Sequence, residues 1–382
     1  MRLTSILTGA LLLTVASLPG RATAQAAGGT AAPTPAPSAS PTAARAPWTS
    51  PRTPDGKPDL QGNWSNATLT TLQRPAGFPL VLSREQVARL EKIRADSSDK
   101  LDQASDPNRT APPVGGDGST GAAGNVGGYN NFWIDAGDRV ARVNGEFRSS
   151  FITDPSTGRV PPLTPAGRAR QVARVTRQRQ FGEYDNPENR PLAERCIMSF
   201  GSNAGPPMLP NYFYNNNYTI VQPRDHVMIM TEMVHDARII PLTGGATRTG
   251  NARPWMGESV GRWEGDTLVV ETTHIRPEQL ASGTTSMGGA LMGASDSLRV
   301  VERFSRADEY TMLYRFTIDD PSTFTQPWSG EVPFLAMDDL LYEYACHEAN
   351  YALSNILSGA RAAEREAAAR PAAPKPKPSP NP

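Results

Sequence analysis

The spacing of apolar positions changes along the chain from a helical to a strand-like period. After Ser83, the start of a capping-box-like string, Val87, Leu90 and Ile93 recur at helical spacing. A polar helix is predicted from Thr164-Pro165 to about residue 180, and a final helix at residues 352–363. Alternation predicts strands at residues 139–143, 149–153, 218–222, 227–233, 238–241, 259–263, 267–273, 298–304, 312–318 and 341–345.

Strands at such short spacing, with few helices between them, are typical of an antiparallel meander. The predicted fold is therefore mostly β: an antiparallel meander closing into a barrel or sandwich, with peripheral helices. A barrel of this kind can enclose one small ligand, as the lipocalins do. We expect residues 51–360 to form this single β-rich domain.

The two ends of the chain differ in composition from the middle. Residues 1–24 start with Met1-Arg2, continue as an uncharged apolar run and end in Ala22-Thr23-Ala24, which predicts a cleavable signal peptide. The alternative is an uncleaved anchor, but the run is shorter than the roughly 20 residues that a spanning helix needs. Residues 25–50, an Ala/Pro-rich linker, and residues 361–382, a Pro-rich tail, are predicted to be disordered.

Export and charge restrict the location and the partners. We expect a periplasmic or secreted protein with no integral membrane segment after signal cleavage, because no later stretch is long and apolar enough. The 38 acidic and 38 basic residues balance, and no basic block stands out, which argues against a nucleic-acid partner. Phosphate loops and dinucleotide fingerprints are missing, and no cofactor is predicted.

The chain has two cysteines, Cys196 and Cys346. In an exported protein an even number of cysteines usually means a disulfide, so we predict that these two are bonded. The alternative, a thiol nucleophile paired with His347, conflicts with an oxidising compartment.

Several strings in a fixed order carry a resemblance to a known family. They are PDGKPDLQG at 54–62, YNNFW at 129–133, PPLTP at 161–165, NNNY at 215–218, HDARIIPL at 235–242, GRWEGDTLVV at 261–270 and YACHE at 344–348. Over about residues 51–361 the chain resembles a large family of exported (periplasmic) proteins of Gram-negative bacteria with no established activity. The resemblance implies export and a single folded unit.

A histidine with a carboxylate neighbour is the main candidate for chemistry. General acid/base catalysis needs a group that titrates near neutral pH and is oriented by a partner. We predict His235 as the acid/base, Asp236 or Glu232 as its orienting partner, and Arg238 as a stabiliser of developing negative charge. The alternative is a buried, hydrogen-bonded structural histidine.

His347 with Glu348 is the second predicted acid/base pair, with the same structural alternative. Of the four histidines, His226 is interpreted as a turn residue and His274 as a cap or surface residue. No metal site is predicted because His-x-x-x-His and Cys-x-x-Cys are absent, although the fold can still bring His235, His347 and a carboxylate together.

A Gly-x-Ser-x-Gly string surrounds Ser259 at residues 257–261. A nucleophilic serine in such an elbow needs a strand before it and a helix after it, whereas here a hairpin is predicted to follow. The string therefore does not favour a serine nucleophile.

An amide-rich and aromatic segment is the predicted ligand surface. Amides supply paired donors and acceptors and rings supply flat apolar faces, a mixture that suits sugars and aromatic compounds. The predicted ligand-binding residues are Asn215, Asn216, Asn217, Tyr218, Trp133, Trp255 and Trp263. The alternative is that the rings belong to the core and the asparagines to turns.

Together these features favour a periplasmic small-molecule protein. It is predicted to be a metal-independent acid/base enzyme, a lyase, hydratase or hydrolase, acting on a polar aromatic or sugar-like compound. The alternatives are a non-catalytic ligand-binding β-barrel and an interaction protein of the cell envelope.

Overall fold

The computed structural model describes residues 48–103, 108, 134–199, 203–210, 214–242, 252–281, 291, 293–348 and 350–370. These belong to one compact unit, Trp48–Pro382. The predicted signal peptide, linker residues 25–47, Trp133 and tail residues 371–382 lie outside the described residues.

Most of the regular structure in the described residues is β. The strands are β1 Gly62–Ser65, β2 Arg142–Val143, β3 Glu146–Phe147, β4 Ile152–Asp154, β5 Asn217–Val221, β6 His226–Thr231, β7 Ala237–Pro241, β8 Glu258–Glu264, β9 Thr267–Thr273, β10 Arg299–Arg306, β11 Thr311–Asp319 and β12 Trp328–Met337. The helices are α1 Arg84–Leu101, α2 Pro165–Gln180, α3 Pro277–Ala281 and α4 Ala352–Ala369, with short 3-10 turns at Pro187–Asn189 and Met233–His235.

One large antiparallel sheet organises the unit. Its strand order is β7-β6-β5-β1-β12-β11-β10-β9-β8, and β4 adds to β12 outside this path. Every neighbouring pair is antiparallel. The structure therefore confirms the prediction of a mostly β, antiparallel fold with few helices.

The two edge strands of this sheet approach each other. A Cβ added to Gly261 in β8 would lie 3.0 Å from Cγ2 of Ile240 in β7, so the two strands are close here and a larger residue would have to displace the Ile240 side chain. Because seven antiparallel strands lie between them, β7 and β8 run in the same direction. No hydrogen-bonded ladder joins them among the described residues, so a closed barrel is not found.

Local signals placed α1, α2, α4 and most strands correctly, whereas the short helix α3 was not predicted. Ser83 caps α1 with a complete capping box, and Thr164 caps α2 with proline at its first turn. The strand predicted at 139–143 is reduced to β2, and the one at 341–345 is irregular chain. Helix α4 continues to Ala369, past the predicted domain boundary at 360, and β1 and β12 were not predicted.

The core lies against one side of the sheet and is rich in aromatic rings. Tyr314 stands at its centre, with the Phe304 ring centroid at 5.0 Å and the Phe334 ring centroid at 5.4 Å. The irregular segment 203–210 is buried throughout, and the Met208 N–H donates to the Tyr314 hydroxyl over 2.9 Å. The irregular segment is thus part of the buried core.

The predicted disulfide is present and attaches the C-terminal segment to the body. Cys196 and Cys346 are bonded, with their Cα atoms 5.7 Å apart. Nearby, Asn350 Nδ2 donates to the Glu194 carbonyl over 3.0 Å. The chain that follows β12 is therefore held against residues 194–196. Within the described part of the chain, no helix is both long enough and apolar enough to cross a bilayer.

Candidate functional site

The connection between β6 and β7 has an unusual backbone. It contains the 3-10 turn Met233–His235, in which Val234 has φ +62° and His235 has φ +45°. A β-branched residue rarely adopts the left-handed region, and such backbone strain persists only where the surrounding structure imposes it. The Thr231 N–H closes the turn on the Asp236 carbonyl over 2.8 Å. Strained segments of this kind concentrate at functional sites.

His235 is exposed and has a defined orientation. Its Nδ1 lies 3.0 Å from the carbonyl oxygen of Tyr344. Because a carbonyl only accepts, Nδ1 carries the proton and Nε2 is left as the acceptor of the neutral ring. The partner that orients His235 is therefore the Tyr344 backbone, and not Asp236 or Glu232 as the sequence predicted.

Asp236 lies beside this histidine and is half-buried. Burial raises the pKa of its carboxyl from 3.8 to about 6, against a smaller lowering by the charge of His235. Its Oδ2 is buried and has no hydrogen-bond partner. A carboxyl in this condition exchanges its proton close to neutral pH, as a general acid/base does.

Glu232 is buried and fully engaged. Its Oε2 accepts from Asn217 Nδ2 over 2.8 Å, and its Oε1 accepts from the Tyr342 N–H over 2.8 Å. Glu232 thus fastens the C-terminal segment to β5 and holds the Tyr344 carbonyl near His235. Its contacts give it a positioning role for the turn.

Two of the three predicted amide side chains, those of Asn216 and Asn217, donate to groups inside the fold. Asn216 Nδ2 donates to the Asp135 carbonyl over 2.9 Å, and the Asn215 carbonyl accepts from Asn203 Nδ2 over 3.0 Å. Tyr218 is buried, donates its hydroxyl to the Asn203 carbonyl over 3.0 Å, and its burial raises its pKa well above the ordinary value. The Tyr218 bond attaches the buried segment 203–210 to β5, and the Asn203 bond attaches it to the chain just before β5. Of the set, Asn217 has a buried Oδ1 without a partner.

The predicted tryptophans lie in different surroundings. Trp255 is half-buried, and the Arg276 guanidinium stacks on its ring at 4.6 Å from the centroid. Trp263 packs against the main core, and its buried Nε1 has no partner. Trp255 thus contacts Arg276, and Trp263 contacts the main core.

Arg238 faces the core side of the sheet, away from the solvent that His235 meets. Its Nη1 donates to Glu302 Oε1 over 3.0 Å in a buried ion pair, and the Tyr314 hydroxyl donates to the same oxygen over 2.9 Å. Glu302, 64 residues away in sequence, was not among the predicted site residues. Its only sequence signal is a charge at an inward position of alternating strand β10.

His347 and Glu348 are both exposed beside the disulfide. His347 lies three residues after Tyr344. The hydrogen bond from His235 to the Tyr344 carbonyl therefore places His235 against the segment that carries the second predicted pair. Within the described residues, no three His, Cys, Asp or Glu side chains cluster as metal ligands would.

Ser259 of the Gly-x-Ser-x-Gly string lies within β8, and its Oγ is 2.8 Å from Thr272 Oγ1 on β9. It faces the neighbouring strand and does not stand on an exposed turn. The string is part of a hairpin, as the sequence indicated.

Comparison of the whole chain with models of known protein families, with curated proteins and with solved structures found no match.

Proposed function

We propose that this chain is an exported small-molecule protein that carries out metal-independent acid/base chemistry at the β6–β7 turn. The observation that carries the proposal is the pairing of an oriented, exposed imidazole with a carboxyl whose pKa is raised to about 6 on the next residue. The reaction class is an elimination, hydration or hydrolysis of a polar aromatic or sugar-like compound.

The two groups suit complementary steps. His235 Nε2 is the free acceptor of a ring whose other nitrogen is held by Tyr344, so it can take a proton from substrate or water. Asp236 is partly protonated near neutral pH and can return a proton to a leaving or accepting atom. Glu232 positions the segment that orients the ring, and His347 with Glu348 lies on that segment as a second exposed pair.

Replacing the imidazole tests the role of His235. We expect His235→Ala to lower turnover about 10²-fold or more, the usual contribution of a general acid/base. Because the side chain is exposed, the melting temperature of the variant should fall only by the small amount that alanine costs at φ +45°. The measurement is nitrophenolate release from a panel of p-nitrophenyl glycosides and p-nitrophenyl esters.

The matched control is His226→Ala. His226 begins β6, at the opposite end of the strand from the turn, and its Nδ1 is 2.7 Å from Asp225 Oδ1. This variant keeps full turnover if the chemistry belongs to the β6–β7 turn. If His235→Ala and His226→Ala are equally active on every compound that the wild type cleaves, His235 does not take part in the reaction.

Asp236 also affects stability through its pKa. Its folded-state pKa of about 6 lies above the ordinary 3.8, so the folded chain binds this proton more tightly than the unfolded chain does. The stabilisation is complete below about pH 4 and is lost by about pH 6, a loss on the order of 2 kcal/mol. We expect Asp236→Asn to remove this slope and to be more stable than the wild type at pH 7.

Urea unfolding at pH 4, 5, 6 and 7 measures this effect. An unchanged slope between pH 4 and 6 in Asp236→Asn contradicts the raised pKa. The turnover of Asp236→Asn shows whether Asp236 also acts in the reaction. The proposed function requires that this more stable variant has a lower rate than the wild type, as expected for a site that trades stability for function.

The alternative function is ligand binding without chemistry in a barrel-like interior. It is favoured by the contact between the edge strands, where Arg238 Nη2 of β7 lies 3.3 Å from Ser259 Oγ of β8. In that case side-chain contacts between the edge strands β7 and β8 close the sheet around a ligand. Saturable binding of a nitrophenyl sugar, with no turnover in the wild type and no effect of His235→Ala, distinguishes this function from the first.

A further inference from the structure

A second carboxylate–imidazole pair lies at the open end of the β8–β9 hairpin. Glu258 begins β8 and is opposite Thr273, the last residue of β9, and His274 follows directly. The Glu258 Oε2 and His274 Nδ1 atoms are 3.6 Å apart. None of these residues belongs to the β6–β7 turn.

The Glu258 carboxylate is buried without a partner. Its side chain is only 9 % exposed, and neither oxygen has a hydrogen-bond partner. His274 Nδ1, at a distance too long for a hydrogen bond, is the only basic side-chain atom within 4 Å of it among the described residues. An ionised carboxylate without donors is costly to bury, and such a group in a folded protein calls for an explanation.

The backbone on both sides is held in an uncommon conformation. Met256 has φ +63°, Gly257 has φ +72° and His274 has φ +54°. A Cβ on Gly257 would lie 2.5 Å from the Thr273 carbonyl oxygen, so this close approach requires glycine. Met256 and His274 are therefore held in strained backbone conformations on the two segments that place the carboxylate beside the imidazole.

Trp255 and Arg276 flank the Glu258–His274 pair, and the Arg276 guanidinium already has partners of its own. The Arg276 guanidinium stacks on the Trp255 ring, and its Nε donates to Glu278 over 3.2 Å. The Trp255–Arg276 stack joins the two segments that carry Glu258 and His274. Arg276 is thus engaged elsewhere and leaves the charge of Glu258 to an external partner.

We propose that Glu258 and His274 form a binding site for an organic cation, an ammonium group on a small molecule. The carboxylate supplies the countercharge for the ammonium group, and the imidazole, whose Nδ1 lies 2.9 Å from Thr273 Oγ1, is the exposed member of the pair at 44 %. A metal ion is the less suitable occupant, because the described residues supply no third His, Cys, Asp or Glu to complete its shell. The site uses neither His235 nor Asp236, and its test measures binding and not turnover, so its failure leaves the proposed function intact.

Thermal unfolding with benzylamine hydrochloride as the probe tests the site. The wild type is expected to show a saturable rise in melting temperature, and equimolar benzyl alcohol, which lacks the charge, is expected to show none. Glu258→Gln should weaken the apparent benzylamine affinity at least tenfold. Its melting temperature without benzylamine should equal or exceed that of the wild type, because the unpaired buried charge is gone.

Two further variants complete the experiment. Glu271→Gln removes a carboxylate from the same hairpin that is already paired with Arg299 at 2.7 Å, and it should respond to benzylamine like the wild type. His274→Asn keeps a residue that tolerates positive φ and should lose part of the affinity. The proposal is overturned if the wild type does not respond, if both Glu258→Gln and His274→Asn respond fully, or if zinc chloride alone stabilises through Glu258.

Discussion

Glu302→Ala is expected to lower the free energy of unfolding by about 3–5 kcal/mol, which is the typical loss when one partner of a buried ion pair is removed. The substitution leaves the Arg238 guanidinium, itself only 5 % exposed, in the core without its carboxylate. It also removes the acceptor of the Tyr314 hydroxyl. Urea unfolding monitored by the tryptophan fluorescence of the chain measures the change.

Glu271→Ala on the neighbouring strand β9 is the control. Its ion pair with Arg299 is partly exposed, so we expect a loss of no more than about 1 kcal/mol. The double variant Arg238→Met with Glu302→Leu replaces both charges with apolar groups and should recover most of the lost stability. A Glu302→Ala protein as stable as Glu271→Ala contradicts the buried pair, and a double variant no better than Glu302→Ala assigns the cost to packing.

Removing the disulfide is the second change with a large expected effect. Cys196 and Cys346 are separated by 150 residues, and the chain-entropy model assigns a loop of this length about 5 kcal/mol of stabilisation. We expect the double variant Cys196→Ser and Cys346→Ser to lose a large part of this amount in urea unfolding. The released segment after β12 should also become the first site of limited proteolysis.

The same variant links stability to the site. Tyr344, which orients His235, lies two residues before Cys346, so freeing the segment should reduce turnover as well. Wild-type protein unfolded in the presence of dithiothreitol should match the double variant. Full stability and full proteolytic resistance of the double variant would show that Glu232 and the remaining contacts hold the segment without the bond.

The extent to which the fold was predictable depends on how local each signal is. Strand β9 was predicted with its observed bounds, because the turn at Gly265 and the alternation after it are both local. Strand β12 was missed although it is the longest, because Pro333 interrupts its pattern and proline argues against a central strand. The segment 341–345 alternates like a strand but is held by the Glu232 side chain and the disulfide instead.

The candidate site shows the same limit. His235 and Asp236 stood out because they are neighbours in sequence with suitable chemistry. The Tyr344 carbonyl, which orients the His235 ring, is more than 100 residues away in sequence. The raised pKa of Asp236 comes from its burial, which depends on how the chain packs. Glu258 and His274 were not predicted as a pair, since only the register of β8 on β9 places them together.

Short-range physics controls the features that could be predicted without the structure: the capped helices α1 and α2, strand β9 with its tight turn, and the pairing of the two cysteines. Only the tertiary structure decided which charges are buried, which carboxylates are partnered and where the sheet edges meet. These depend on contacts such as Arg238 with Glu302, for which the chain must first close a long loop, and no pattern within either strand specifies the partner.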